Sequence, residues 1–198
     1  RPQRAGGPGR ARCRARGLGA AFSVSATADF VPAALGDAAA LSAFAAHSFC
    51  DTFGHLYPPA DLQEFLGATY SPALQAREIA DPETAHLLAK RGEAIIGFVK
   101  LGPERTGHAL PGRFALELHR LYVAPGEKGN GIAHRLMEWA IERARQNGAL
   151  DMTLSVFSQN HRARRFYARY GFVEIAPAVF RVGRIEDEDL IYRAALHA

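Results

Sequence analysis

The chain has 198 residues, of which 48% are hydrophobic and 22% are charged. This length suits one domain with a substantial core, and the composition is ordinary for a soluble globular protein. No apolar run approaches the ~20 residues that a membrane-spanning helix needs, so we expect no membrane partner. Cys13 and Cys50 are too few for a disulfide framework and lack metal-ligand spacing. We therefore expect free thiols, a cytoplasmic location and no metal.

The formal net charge of +4 comes from the beginning of the chain. Residues 1–20 contain six arginines and no acidic residue, so the rest of the chain carries −2. A nucleic-acid-binding domain instead spreads positive charge over one face of its fold, so we expect no nucleic acid partner. Phosphate binding by the Arg-rich segment is the alternative. Its few large apolar residues predict a disordered leader over 1–20, followed by one domain over 21–198.

Strands and helices alternate along the rest of the chain. Asp37 is the expected N-cap of the first helix, and Gly148 and Gly171 are the expected ends of two later helices. This order predicts a single-domain α/β (α+β) layered fold with one core. The predicted elements are a strand at 22–31, helices at 37–54, 61–69 and 72–80, strands at 85–89, 94–101 and 114–123, a helix at 129–147, a strand at 150–157, a helix from 158 or 160 to 171, and strands at 172–180 and 190–195.

A glycine-rich loop joins the strand at 114–123 to the next helix, with the sequence Pro-Gly-Glu-Lys-Gly-Asn-Gly-Ile-Ala over 125–133. Glycines let a ligand approach the main chain, and the unpaired N–H groups of a helix start favour an anion such as pyrophosphate. A tight strand-to-helix connection explains the same residues without a ligand. The loop lacks the Gly-Lys-Ser/Thr of a P-loop, and His134 stands where a dinucleotide fingerprint needs its third glycine.

A second informative segment runs from Asn160 to Phe172. Ala163, Phe166 and Tyr167 share one face of the predicted helix. Core packing explains Ala163 and Phe166. Tyr167 differs because its hydroxyl needs a polar partner if it is buried.

Taken together, the two segments resemble the GNAT superfamily of acetyl-CoA-dependent N-acetyltransferases. The loop 128–133 resembles the acetyl-CoA signature of that family, with Lys128 in place of the usual Gln or Arg. The segment 160–172 resembles the second family motif, and the likeness covers roughly residues 22–196. The flanking segments at 49–53, 116–123 and 189–192 resemble the polyamine (spermine/spermidine-type) branch.

The resemblance implies a central, mostly antiparallel mixed sheet with helices on both faces. It also implies that a splayed pair of strands, 118–123 and 152–157, holds CoA. The implied cosubstrate is acetyl-CoA, and no metal is implied. The implied cofactor-binding residues are Leu121, Tyr122, Val123, Lys128, Gly129, Asn130, Gly131, Ile132, Ala133 and Asn160.

The reaction implied by the resemblance is direct attack of a primary amine on the thioester within a ternary complex. Tyr167 occupies the general-acid position, where it would protonate the departing thiolate. Glu117 occupies a position where several relatives carry a general base, and His119 or an ordered water are alternatives. We expect Glu117 to share a strand face with His119, Leu121 and Val123. A solvated strand residue without a catalytic role is the alternative for Glu117.

The expected function is therefore N-acetylation of a polyamine or another small amine. A non-catalytic acyl-CoA sensor and an acetyltransferase of protein N-termini or lysines are the alternatives. Asp51, Asp61 and Glu64 could attract a polyamine cation, although acidic residues on helices are usually solvated. The resemblance also allows a homodimer, for which no residue pattern argues.

Overall fold

The computed structural model describes residues 27–196. The expected leader over 1–20 and the first part of the predicted strand, 22–26, lie outside the described residues. In the described chain, no helix is long and apolar enough to cross a membrane. The strands and helices are β1 Asp29–Pro32, α1 Ala38–Phe53, α2 Pro59–Tyr70, α3 Pro72–Ala80, β2 Ala85–Arg91, β3 Ala94–Pro103, β4 Ala115–Val123, α4 Ile132–Gln146, β5 Asp151–Phe157, α5 His161–Ala168, β6 Val173–Val182 and β7 Ile185–Ala195.

The strands form one sheet in the order β1-β2-β3-β4-β5-β7-β6. All neighbours are antiparallel except β4 and β5, which are parallel. These two pair only from Ala115 to Glu117, opposite Asp151 to Thr153. Beyond Glu117 both strands continue without pairing to each other. The predicted mixed sheet with a splayed strand pair is thus confirmed.

Helices cover both faces of the sheet, as predicted. On one side, Leu136 and Met137 of α4 pack against strand residues such as Val99; we call this side the α4 face. On the other, Leu41 and Phe49 of α1 share a buried cluster with strand residues such as Phe98, and we call this side the α1 face. Alternation along each strand therefore decides which face a side chain serves.

One helix start agrees with the prediction and another differs. Asp37 is the N-cap residue of α1 as predicted, although its side chain makes no capping hydrogen bond to this helix. Its carboxylate instead accepts the N–H of Ala34 at 2.9 Å and pairs with Lys90 at 2.6 Å. Helix α4 begins at Ile132 rather than at residue 129. Gly129 and Gly131 have φ values of +98° and +80°, which a right-handed helix excludes. Gly148 directly follows the C-cap of α4, as predicted, whereas α5 ends at Ala168, three residues before Gly171; both glycines have φ +80°.

Strand β4 contains a bulge at His119. Lys100 of β3 pairs with Arg120, but the next residue, Leu101, pairs with Leu118, so His119 is an extra residue in the ladder. A bulge shifts the alternation of side chains by one residue.

The bulge makes one sequence expectation wrong. Leu118 before it and Leu121 and Val123 after it all face the α4 core, although their numbers differ in parity. Glu117 precedes Leu118 and therefore faces α1, not the side of Leu121 and Val123. The splayed strands thus present Glu117 to one face of the sheet and Leu121 to the other.

Candidate active site

A cavity of about 810 Å³ lies where β4 and β5 diverge. Because the strands are unpaired there, residues from both faces line it. Leu121 and Tyr167 line it from the α4 face, and Glu117 and Ser155 line it from the α1 face. The cavity therefore joins two chemically different surfaces through a gap in the sheet.

The start of α4 forms the anion-binding part of this cavity. Lys128, Gly129, Gly131 and Ala133 line it. The space around Gly129 and Gly131 is open, since a Cβ at either position would meet nothing within 4 Å. Their left-handed backbone, rather than crowding, is what requires glycine there. The resulting cradle of main-chain N–H groups and partial positive charge suits a phosphate or pyrophosphate.

Hydrogen bonds to Glu127 stabilise the glycine loop. Glu127 accepts hydrogen bonds from Arg91 at 3.0 Å and from Asn130 at 3.2 Å. The hydrogen bond from Arg91 is the main reason that the pKa of Glu127 is lowered. Asn130 thus supports the loop, and Ile132 is a core residue with 4% exposure. Neither side chain lines the cavity.

The second predicted motif supplies α5. The Oδ1 atom of Asn160 accepts the N–H of Ala163 at 3.1 Å and so caps this helix, and Asn160 also lines the cavity. Arg162, Arg165 and Arg169 follow at helical spacing and line it as well. In the described chain, no acidic side chain forms an ion pair with these arginines. The sequence analysis did not predict these three arginines as site residues, although their helical spacing after Asn160 indicates that they share one face of α5.

The outer edge of β4 can receive an extended ligand. Leu121, Tyr122 and Val123 pair with β3 along one edge of their strand. The opposite edge has no strand partner, because pairing with β5 stops at Glu117. Since all three predicted residues line the cavity, a ligand with amide groups can add along this edge as a further strand would.

Tyr167 reaches the cavity from α5, and its ring packs against the α4 core. Burial raises the pKa of this phenol to about 12. The hydroxyl therefore keeps its proton at neutral pH. Among the described residues it has no hydrogen-bond partner, so it is available to donate to an atom bound in the cavity.

Glu117 lies at the last paired position of β4 and β5, facing α1. Its Oε2 accepts the main-chain N–H of Arg105 at 2.8 Å, and its side chain is 13% exposed. Burial raises the pKa of this carboxyl above its ordinary value. Glu117 is therefore a stronger base than an exposed glutamate.

The side chain of His119 has a structural role. Its Nε2 donates to the carbonyl oxygen of Pro103 at 2.9 Å. The ring lies against Gly102, where a Cβ would come within 2.6 Å of the His119 Cε1 atom. Burial lowers the pKa of His119 to about 4. A neutral, anchored imidazole of this kind is a weak base, so the geometry favours Glu117.

The α1 face of the cavity is acidic and aromatic. Asp51, Asp187 and Asp189 line it together with Phe53 and Phe157. Of the three acids that the sequence suggested for a cation, Asp51 lies in the cavity, whereas Asp61 pairs with Arg184 and Glu64 lies elsewhere. Asp187 and Asp189 were missed because β7 begins at Ile185, five residues before its predicted start. In the described part of the chain, no group of three or more His, Cys, Asp or Glu side chains could hold a metal.

A glycine-lined helix start, an open strand edge and a buried tyrosine at one end of the cavity, opposite several carboxylates, suit acyl transfer. The chain belongs to the acetyltransferase (GNAT) family, whose model matches residues 45–172. It is an acetyl-CoA-dependent N-acetyltransferase. An uncharacterised N-acetyltransferase of Mycobacterium tuberculosis is 34% identical over 157 residues, which is 78% of this chain and 95% of the relative.

Solved structures share the fold. PaiA N-acetyltransferase from Thermoplasma acidophilum, in complex with coenzyme A, superposes with a TM-score of 0.69 at 21% identity, covering 86% of this chain and 99% of that one. YncA from Salmonella typhimurium, with its cofactor acetyl-CoA, gives a TM-score of 0.61 at 22% identity, covering 87% and 96%. At these identities the likeness establishes the fold.

Proposed function

We propose that the acceptor is the primary amine of a small cationic compound, with a polyamine as the leading candidate. The observation that carries this proposal is the division of charge within one cavity. Lys128 and three arginines of α5 line the α4 side, whereas Glu117, Asp51, Asp187 and Asp189 line the α1 side. Glu127 and Arg120 also line the cavity, but Arg91 and Glu78 pair with them. Opposite potentials at the two ends suit an anionic cosubstrate and a cationic acceptor.

Acetyl-CoA fits the residues of the α4 side. The open cradle around Gly129 and Gly131 would hold the pyrophosphate, and the free edge of β4 would pair with the pantetheine amides. The unpaired arginines of α5 would meet the remaining phosphate charge. Compared with an arginine at this position, Lys128 keeps the positive charge without the planar fork of the guanidinium. When bound, acetyl-CoA supplies the thioester carbonyl and the leaving thiolate.

Glu117 and Tyr167 divide the proton transfers between the two faces. Glu117 accepts a proton from the acceptor ammonium, directly or through water, because an alkylamine with pKa ~10.4 is charged at neutral pH. The neutral nitrogen forms a C–N bond with the thioester carbon as the C–S bond breaks, and Tyr167 donates its proton to the sulfur. The nitrogen loses two protons in all. One restores Tyr167, and the other leaves through Glu117 to solvent.

Direct attack needs no acyl-enzyme. Cys50 lies on α1 and is not among the residues that line the cavity. Positioning the amine beside the thioester removes much of the entropic barrier without a covalent step. We accordingly assign the rate enhancement to positioning together with the two proton transfers.

The test is thiol release from acetyl-CoA against spermidine, spermine, 1,4-diaminobutane, butylamine, free amino acids and a lysine-containing peptide, with products identified by mass spectrometry. We expect saturable release and a monoacetylated product with the small cationic amines. Release only with the peptide would assign a protein acceptor instead. No release with any acceptor, while acetyl-CoA still raises the Tm, would support the acyl-CoA sensor and overturn the proposal.

We also propose that the protein is cytoplasmic, that it forms a homodimer, and that it has no nucleic acid or membrane partner. Because residues 1–20 are rich in arginine, the expected lack of a nucleic acid partner can be tested directly. DNA binding that is steeply salt-dependent in the full chain and lost on deletion of residues 1–20 would contradict that expectation.

A further inference from the structure

The α1 end of the cavity contains a buried carboxylate that is only half satisfied. Asp189 of β7 is 7% exposed and lines the cavity. Its Oδ2 accepts the hydroxyl of Ser155 at 2.6 Å, and within the described structure its Oδ1 has no partner. Burial raises the pKa of Asp189, with the nearby Asp187 adding to the effect. A buried carboxylate without a matching positive charge is costly unless a ligand supplies that charge.

Asp187 adds a second negative group on the same face. Asp187 and Asp189 are two residues apart on β7, which places them about 7 Å apart along the strand. The Tyr57 hydroxyl donates to Asp187, so a neutral partner holds this carboxylate as well. Among the described residues, neither aspartate forms an ion pair with Lys, Arg or His. The two carboxylates are therefore fixed in place but not neutralised.

Aromatic rings form the walls between these carboxylates and the gap in the sheet. Phe53 of α1 and Phe157 of β5 meet edge to face with centroids 6.0 Å apart, and both line the cavity. Tyr57, with 7% exposure, and Phe180 line it nearby. Aromatic faces attract ammonium groups and also provide apolar surface for methylene groups. The walls thus suit an alkyl chain that carries positive charge.

We propose that Asp187 and Asp189 bind a second ammonium group of the acceptor, so that the enzyme selects linear diamines and polyamines over monoamines. This inference rests on the proposed function, in which Glu117 serves the reacting nitrogen. Ser155, which holds Asp189, lies two residues beyond Thr153, the last β5 residue paired with β4. The offset between Thr153 and Ser155 is about 7 Å along β5, so Glu117 and Asp189 lie at different depths on the same face of the sheet.

The experiment compares 1,4-diaminobutane with butylamine, which has the same carbon chain and one ammonium group fewer. We expect the wild-type kcat/KM to favour the diamine. In Asp189→Asn and Asp187→Asn, the diamine-to-monoamine ratio of kcat/KM should fall by about 10- to 100-fold, because a charge-assisted hydrogen bond is lost. Glu188→Gln is the matched control, since it removes one charge from the opposite face of the same strand and should keep the wild-type ratio.

Calorimetric binding of 1,4-diaminobutane in the presence of coenzyme A gives a readout independent of turnover. Binding that weakens about 10- to 100-fold in Asp189→Asn, with the Tm retained, supports the subsite even if no amine is acetylated; in that case only the proposed function fails. If amines are acetylated but the diamine and butylamine are used equally by wild type, the subsite is overturned and the proposed function stands. Unchanged binding of 1,4-diaminobutane in both aspartate variants would also overturn the subsite.

Discussion

The two sides of the cavity are built in different ways. On the α4 face, two continuous segments, 128–133 and 160–169, provide main-chain N–H groups, a helix start and a row of arginines. On the α1 face, side chains come from five elements, α1, β4, β5, β6 and β7, that span most of the chain. On the function proposed above, the first side would recognise its ligand mainly through backbone geometry, and the second through individual carboxylates and rings.

This difference has a chemical consequence. A backbone cradle needs glycines at fixed positions, so it changes little without losing its ligand. A wall of side chains can change one residue at a time while the sheet and the cradle stay intact. One fold can therefore keep a single cosubstrate and vary the acceptor, which is how function is grafted onto a common scaffold.

The largest effect should come from the acid on the α4 side. Tyr167→Phe removes one hydroxyl and keeps the ring that packs against the core. We expect kcat to fall by about 10²- to 10⁴-fold, because a positioned acid typically contributes that much. The Kd for acetyl-CoA, measured by calorimetry, should change little. A wild-type kcat in this variant would remove Tyr167 from the mechanism.

The next largest effect concerns the support of the α1 side. Glu78 of α3 pairs with Lys100 at 2.6 Å and with Arg120 at 2.9 Å, and the Lys100 side chain is only 2% exposed. Glu78→Gln leaves buried positive charge unpaired, so unfolding in urea should show a loss of about 3–5 kcal/mol. Glu93→Gln, in the exposed turn between β2 and β3, is the control and should stay within about 0.5 kcal/mol of wild type.

A smaller, pH-dependent effect should follow from the base. Because burial raises the pKa of Glu117, wild-type kcat/KM should fall as the pH drops through that raised value, where the carboxylate becomes protonated. In Glu117→Gln we expect kcat/KM to be about 10²-fold lower at neutral pH. The difference in kcat/KM between this variant and wild type should shrink as the pH rises towards the amine pKa of ~10.4, because the neutral amine needs no base. A constant deficit at all pH values would contradict the assignment.

The smallest effect tests the cradle. Gly131 has φ +80°, so Gly131→Ala should cost about 1–2 kcal/mol in unfolding free energy and weaken acetyl-CoA binding about tenfold. Gly126→Ala lies in the same loop, outside the left-handed region and with open space around it, so it should be nearly neutral. Equal effects of the two variants on stability and on the Kd for acetyl-CoA would show that the left-handed backbone is not what the cradle requires.

Local rules predicted most of the fold because the element boundaries carry strong signals. Gly148 and the two prolines at 58–59 mark boundaries of elements that the structure confirms, and Gly171 follows the end of α5 by three residues. The start of β7 was missed because Glu186 to Asp189 are acidic, and acidic residues are depleted in strands. Here the charges face the cavity and solvent, so pairing with β5 and β6 outweighs propensity.

Some residues of the site were likewise predictable from the sequence, and others depend on strand pairing. The spacing of Gly129, Gly131 and Asn160 is visible in the sequence because it follows from backbone requirements. The side that Glu117 faces depends on the bulge at His119, for which the sequence gives no local signal, since the extra residue is defined only by pairing with β3. Likewise, Ser155 and Asp189 meet only through the register of β5 with β7.

A crystal structure with coenzyme A and 1,4-diaminobutane bound together tests the division of the cavity most directly. We predict the pyrophosphate at the start of α4, the thiol in the gap between β4 and β5, and the two diamine nitrogens near Glu117 and Asp189. A diamine bound on the α4 side, or a coenzyme A that approaches from the α1 side, would contradict the assignment of the two faces.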